Sequence, residues 1–191
     1  MENIVKTRLQ TPNEIRHQIW KELGRATQDR HHAWRTPVLA TACSDSSVNA
    51  RTVVLRAVDK SEAQLQIFTD SRSPKIAEIT YAPNAVFVFW SSKLSWQLRI
   101  RVCISALTTG PTVDALWAHV KQSASAGDYL SPSAPGSPLL SDSSASAEAV
   151  RTDSHFAVLN AQVIEIDWLE LAREGHRRAK FTMDTWEWLT P

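Results

Sequence analysis

The sequence predicts a mainly β fold, a meander or barrel with peripheral helices, and three observations carry that expectation. Short segments of strand composition follow one another from Pro37 to Leu107. Polar turns, not helices, separate the first three of them, which is not the spacing of βαβ units. The clearest segment alternates strictly: Trp96, Leu98, Ile100, Val102 and Ile104 face one way, and Gln97, Arg99, Arg101, Cys103 and Ser105 the other.

Each element has its own justification. Thr11 can cap a helix, Pro12 suits its first position and Glu14 completes a capping box. Ile15, Ile19, Leu23 and Ala26 then recur at helical spacing, and Trp20 widens the stripe. A helix over about Pro12–Arg30 follows, ended by a surface pair, His31-His32. Strands are expected at Pro37–Ala42, Arg51–Asp59 and Gln64–Thr69, with turns at 44–47 and 60–63. Ser73 and Pro74 start a second helix that must stop before Pro83. Asn84–Trp90 is apolar enough for a central strand, and Thr112–Lys121 suits a short helix with Val113, Leu116, Trp117 and Val120 on one side. Ser123–Ala149 is a low-complexity stretch of Ser, Ala and Pro, read as a mobile loop. Phe156–Ile166 returns to strand, Asp167–Glu174 fits a short helix closed by Gly175, and Trp186–Leu189 reads as a last strand.

Composition narrows the function classes. Hydrophobic residues are 43% of 191, enough for one domain over residues 1–191 with a single core. Lys and Arg number 21 against 20 Asp and Glu, a net charge of +1, so no overall field points to nucleic acid or anionic membrane as a partner. Cys43 and Cys103 form no Cys-x-x-Cys pair, and the simplest reading is a reducing compartment with both thiols buried or idle. Met1–Gln10 has no apolar run and no stretch nears the ~20 residues of a membrane span, so the expectation is a cytoplasmic protein without a signal peptide. The histidines and cysteines show no metal-ligand spacing, and neither a Gly-x-Gly-x-x-Gly loop, a P-loop nor a Gly-x-Ser-x-Gly elbow occurs. Trp20, Trp117 and Trp168 fall on expected helices and read as core.

Three clusters can carry chemistry. In Ser71-Arg72-Ser73-Pro74-Lys75 two cations flank a helix start, where free N–H groups and the dipole already favour an anion. Thr69 or Ser71 can add a hydroxyl; the same residues would also suit a solvated, well-capped surface helix. In Arg51-Thr52-Val53-Val54-Leu55-Arg56 two arginines bracket an apolar strand and need partners, an anion or a carboxylate. Five positions apart on a regular strand, they point to opposite faces. Either a bulge intervenes, or they serve different subunits, or only one is a ligand. The third cluster is the polar face Gln97, Arg99 and Arg101, which also suits an ordinary solvent-facing strand.

Taken together these motifs resemble the pyridoxamine 5'-phosphate oxidase family. Leu39-Ala40-Thr41, Arg51 to Arg56, Phe68-Thr69-Asp70, Ser71 to Lys75 and Trp96-Gln97-Leu98-Arg99 stand in family order and nearly family spacing. Lys121-Gln122-Ser123, His176-Arg177-Arg178 and Trp186 to Pro191 resemble later family segments. The Thr-Asp-x-Arg-Ser-x-Lys form is similar to the branch described as oxidase-related. The resemblance implies a six-stranded antiparallel split β-barrel with peripheral helices, the FMN-binding split barrel. It implies FMN as cofactor, with the phosphate on Arg51, Arg72, Lys75 and Thr69. Further contacts are implied from Thr52, Val53, Val54, Leu55, Phe68 and Gln97. Arg56 stands where the family usually has Lys near the flavin ring, keeping the cation but changing its shape. Gln122 and Ser123 match residues that reach the cofactor across a homodimer interface.

Other family positions differ. The family's Tyr, Arg and Ser clamp for a substrate phosphate has no counterpart in Trp117-Ala118-His119-Val120. The family's Trp-Gln-Gly is missing, with Trp168 one place out of register. Its Arg-x-His is echoed only by His176-Arg177-Arg178, which with Arg56 are the candidate substrate contacts for a small molecule. The implied activity is an FMN-dependent oxidoreductase; the alternative is a flavin store or redox sensor without turnover.

Overall fold

The structure, a computed structural model, describes residues 8–138 and 154–191. Helix α1 spans Pro12–Gln28 and begins on the expected capping box, with Thr11 accepting from the Glu14 backbone and Glu14 reaching back to the Thr11 backbone. Its stripe, Ile15, Ile19, Trp20, Leu23 and Ala26, is buried. His31 is exposed, but His32 is not the surface residue expected: its Nε2 lies 2.8 Å from Oε2 of buried Glu22.

Nine strands follow among the described residues: β1 Val38–Ala42, β2 Val48–Thr52, β3 Leu55–Asp59, β4 Gln64–Asp70, β5 Asn84–Ser91, β6 Trp96–Leu107, β7 Phe156–Glu170, β8 Arg177–Phe181 and β9 Trp186–Leu189. They form one antiparallel sheet in the order β2-β1-β5-β6-β7-β4-β3, with β8 on β7 and β9 on β8. The antiparallel split barrel is as expected, and the described residues give its sheet nine strands where six were expected. Helices α2 (Pro74–Tyr81) and α3 (Pro111–Val120) are peripheral. No described helix is long and apolar enough to cross a membrane.

The segment expected as a single strand, Arg51–Asp59, is two strands at opposite ends of the sheet path. β2 pairs with β1, β3 pairs with β4, and Val53-Val54 carries the chain between them. The crossing is anchored by backbone bonds to the loop before β1: Val53 donates to Pro37 at 3.0 Å and Leu55 to Arg35 at 2.8 Å. The two edges are therefore joined by a covalent link two residues long, and the sheet is not closed between them.

Residues 167–174 also differ from the expectation. No helix forms there, because β7 continues to Glu170, pairing with β6 on one side and β8 on the other. Its carboxylates are held by basic side chains on those neighbours, and Gly175 (φ 110°) lies in the turn into β8, not at a helix end. Trp168 is fully buried, but on a strand. The expected loop 123–149 starts with a 3-10 turn, Ala124–Tyr129, and residues 139–149 lie outside the described residues. Trp96, Leu98, Ile100, Val102 and Ile104 are all buried, as alternation requires. The opposite parity leaves Cys103 exposed, so of the thiols expected to be buried or idle this one is not buried, and both cysteines are free.

Candidate cofactor site

α2 lies against β1 and carries Lys75 and Glu78 one turn apart toward the residues of β1, β2 and β4. Lys75 Nζ donates to Thr69 Oγ1 at 2.9 Å and to Ser73 Oγ at 2.5 Å. Both partners are neutral hydroxyls, and no carboxylate forms an ion pair with Lys75 among the described residues. Burial pushes the Lys75 ammonium below the usual lysine range, and the positive charge of Arg51 pushes it further. Ser73 was expected to cap α2, yet its side chain makes no cap bond and serves Lys75 instead.

Arg51 is held from two sides. Its Nη2 donates to Glu78 Oε2 at 2.6 Å, and its Nη1 donates to the Thr41 hydroxyl. Thr41 donates in turn to Glu78 Oε2 at 2.6 Å, and Asn49 Nδ2 to Glu78 Oε1 at 2.7 Å. Burial pushes the Glu78 carboxyl up, but these donors outweigh it and hold it below the usual range.

Arg72 is placed differently from Lys75. It grips Asp70 with Nε at 3.1 Å and Nη2 at 2.7 Å, and its remaining N–H groups reach the carbonyls of Ser131 at 2.8 Å and Pro132 at 3.2 Å. It thus ties the segment after the 3-10 turn to the start of α2.

Arg56 resolves the parity problem posed by the sequence. It is the extra residue of a β-bulge, since Leu55 opposes Ile67 while Ala57 opposes Gln66. It also sits on the opposite edge strand from Arg51. Its guanidinium lies 5.7 Å from the centroid of Phe68, and its buried Nε has no partner among the described residues. Phe68 stacks edge-on against Phe156 at 4.9 Å, and Phe156 meets Tyr129 and Trp117.

The other expected site residues lie apart from this cluster in one chain. Strand register puts Trp90, Gln97, Leu169 and Arg178 in one row across the sheet, and Thr52, Val38, Val88 and Arg99 in the next. That row belongs to the outward face, opposite buried Leu39 and its register partner Arg51. Val53 and Val54 are half-buried in the crossover, and Leu55 is core. Gln122 and Ser123 are exposed after α3 and, among the described residues, bond only to nearby oxygens. His176 is exposed, Arg177 pairs with Glu170, and Arg178 grips Asp167 at 2.9 and 2.7 Å.

Asn49 and Glu78 escaped the sequence reading, and Thr41 and Asp70 entered it only as motif residues without a role at the site. Glu78 alone carried a signal: an acid three residues after Lys75 and next to buried Ile79 sits where a helix turns inward.

The cluster of an ammonium, a guanidinium and hydroxyls suits a phosphate monoester, and the unpartnered Arg56 Nε beside Phe68 is a separate free donor. Comparison with known proteins bears on the fold and the cofactor class. Residues 17–107 match the model of the pyridoxamine 5'-phosphate oxidase FMN-binding domain, so this segment is an FMN-binding domain of that family. Among solved structures, a pyridoxamine 5'-phosphate oxidase-related, FMN-binding protein from Nostoc punctiforme is similar, with 21% identity, TM-score 0.71 and coverage of 96% of this chain and 100% of the other. PhzG from Burkholderia lata, solved with tetrahydrophenazine-1-carboxylic acid, has 19% identity and TM-score 0.72 over 97% and 99%. These likenesses establish the fold. No curated protein sequence matches.

Proposed function

We propose that the chain is an FMN-dependent oxidoreductase, folded as one domain over residues 1–191 and acting in the cytoplasm as a homodimer on a small-molecule substrate. The observation that carries this reading is Lys75, a half-buried ammonium held only by the hydroxyls of Thr69 and Ser73, with Arg51 close enough to depress its pKa. Such a cluster gains from an anion, and a phosphate monoester meets its charge and its hydrogen-bond donors together. Arg51, Thr69 and Lys75 hold the phosphate, while Phe68 and Arg56 border the ring, where the Arg56 Nε supplies a donor. Bound FMN supplies two-electron redox chemistry, and the protein orients it against the substrate. Gln97, Gln122 and Ser123 lie away from the phosphate cluster of their own chain, which supports a site completed by a second subunit.

An absorbance spectrum of the purified protein, before and after FMN addition and dialysis, tests cofactor binding. Retained flavin bands are expected, and a colourless protein would remove the proposal. Lys75→Ala and Arg72→Ala separate the two cations, with retained cofactor in Lys75→Ala excluding the phosphate assignment. Bleaching of the flavin without air by an amine or a nicotinamide donor supports turnover. The second reading, a flavin store or redox sensor, is favoured by the pairing of Arg177 and Arg178 with Glu170 and Asp167, which leaves fewer free cations for a substrate. A flavin that no such donor reduces selects it.

A further inference from the structure

A buried carboxylate beside a phosphate site works against anion binding unless it does something else. Glu78 is 8% exposed and accepts three hydrogen bonds, from Thr41, Asn49 and Arg51. Thr41, itself 1% exposed, stands between the two charges, donating to Glu78 while accepting from Arg51. The three donors come from adjacent strands, β1 and β2, and the acceptor from α2, the helix that also carries Lys75. An arginine on an edge strand has a long, mobile side chain and loses rotamer freedom when it is fixed. Here one carboxylate and one hydroxyl fix it, and its remaining N–H groups stay available.

We infer that Glu78 is a positioning residue for the cofactor phosphate: with Thr41 it sets the Arg51 guanidinium beside Lys75 and so gives the site its preference for FMN over riboflavin. This rests on reading the cluster as the FMN phosphate site. Glu78 does not touch the phosphate; it acts through Arg51. The same network ties α2 to β1 and β2, so the distance between the two cations is set by one helix and not by two independent side chains.

The test is titration of the full-length protein with FMN and with riboflavin, which differ by the phosphate alone. Glu78→Gln keeps the shape but turns an amide toward Arg51; it is expected to raise the FMN dissociation constant about tenfold and leave riboflavin within about twofold. Glu78→Asp, which keeps the charge, is expected to recover part of the loss. With Arg51→Ala already present, Glu78→Gln is expected to weaken FMN no further. Unchanged or tighter FMN binding in Glu78→Gln overturns the inference, because then the carboxylate only opposes the anion. Equal losses for both flavins also overturn it, since they report general damage. If Glu78→Gln does not fold, Thr41→Val decides by the same split between FMN and riboflavin. A wild-type protein with no preference for FMN over riboflavin overturns the phosphate-site reading itself, and a wild-type preference that survives in Glu78→Gln overturns the positioning role alone.

Discussion

Lys75 sits in a place that discourages its charge, so the proposed phosphate site is expected to be sensitive to pH. Burial and the neighbouring Arg51 lower its pKa in the folded chain. Between that lowered value and the ordinary lysine value, the unfolded chain binds more protons than the folded one. The stability of the free protein therefore rises with pH through this window. A phosphate beside Lys75 reverses the preference, because it favours the charged ammonium. FMN affinity should accordingly fall as pH rises through the lowered pKa, while riboflavin affinity stays flat; FMN and riboflavin titrations across alkaline pH check this. A flat FMN curve would take Lys75 out of the site. Arg72 predicts something different. Its hydrogen bonds run to Asp70 and to the carbonyls of Ser131 and Pro132, so Arg72→Ala should loosen that segment more than it weakens FMN. Limited proteolysis near residues 131–133, alongside FMN titration, separates these effects from those of Lys75→Ala.

α1 shows what periodicity can reveal. Its cap and its apolar stripe are written in consecutive residues, and the stripe packs onto the core beside β3. Leu23 is fully buried, so Leu23→Ala should cost about 2–5 kcal/mol in urea unfolding, with an unchanged helix cap. β6 was legible for the same reason, since alternation over Trp96–Leu107 matches its burial pattern. The split of Arg51–Asp59 was not, because Val53-Val54 continues the apolar composition while the backbone changes partners. The end of β7 was hidden for a related reason. Asp167 and Glu170 look like helix-surface acids, but they pair with basic side chains outside their own segment: Arg99 and Arg178 for one, Arg8 and Arg177 for the other. In the cofactor cluster Arg51, Thr69 and Lys75 were legible as motif residues. Glu78 was not, and Thr41 was a motif residue without a role, since that role is defined by Glu78 across a sequence gap that only the fold closes.

The whole molecule carries an outward sheet face divided into two halves. On β6 to β9 the face is a ladder of opposite charges: Arg99 with Asp167, Arg178 with Asp167, and Lys180 with Glu187. On β1 and β5 it is apolar instead, with Val38 and Trp90 exposed at 36% and 47% and Val86 and Val88 beside them. A half that is charged and internally paired needs nothing further. A half that leaves a tryptophan and several valines to water gains from cover at roughly 25 cal/mol per Å² of apolar area removed from solvent. A second copy of the chain is the proposed cover. Val88→Asp places a charge in the centre of this half and should leave the monomer folded, because Val88 faces outward and not into the core. Sedimentation of the wild type should give a dimer and Val88→Asp a monomer, and FMN affinity should fall together with dimerisation. A monomeric variant that retains full FMN affinity would show that one chain completes the site, and the cover on the apolar half would then serve stability alone.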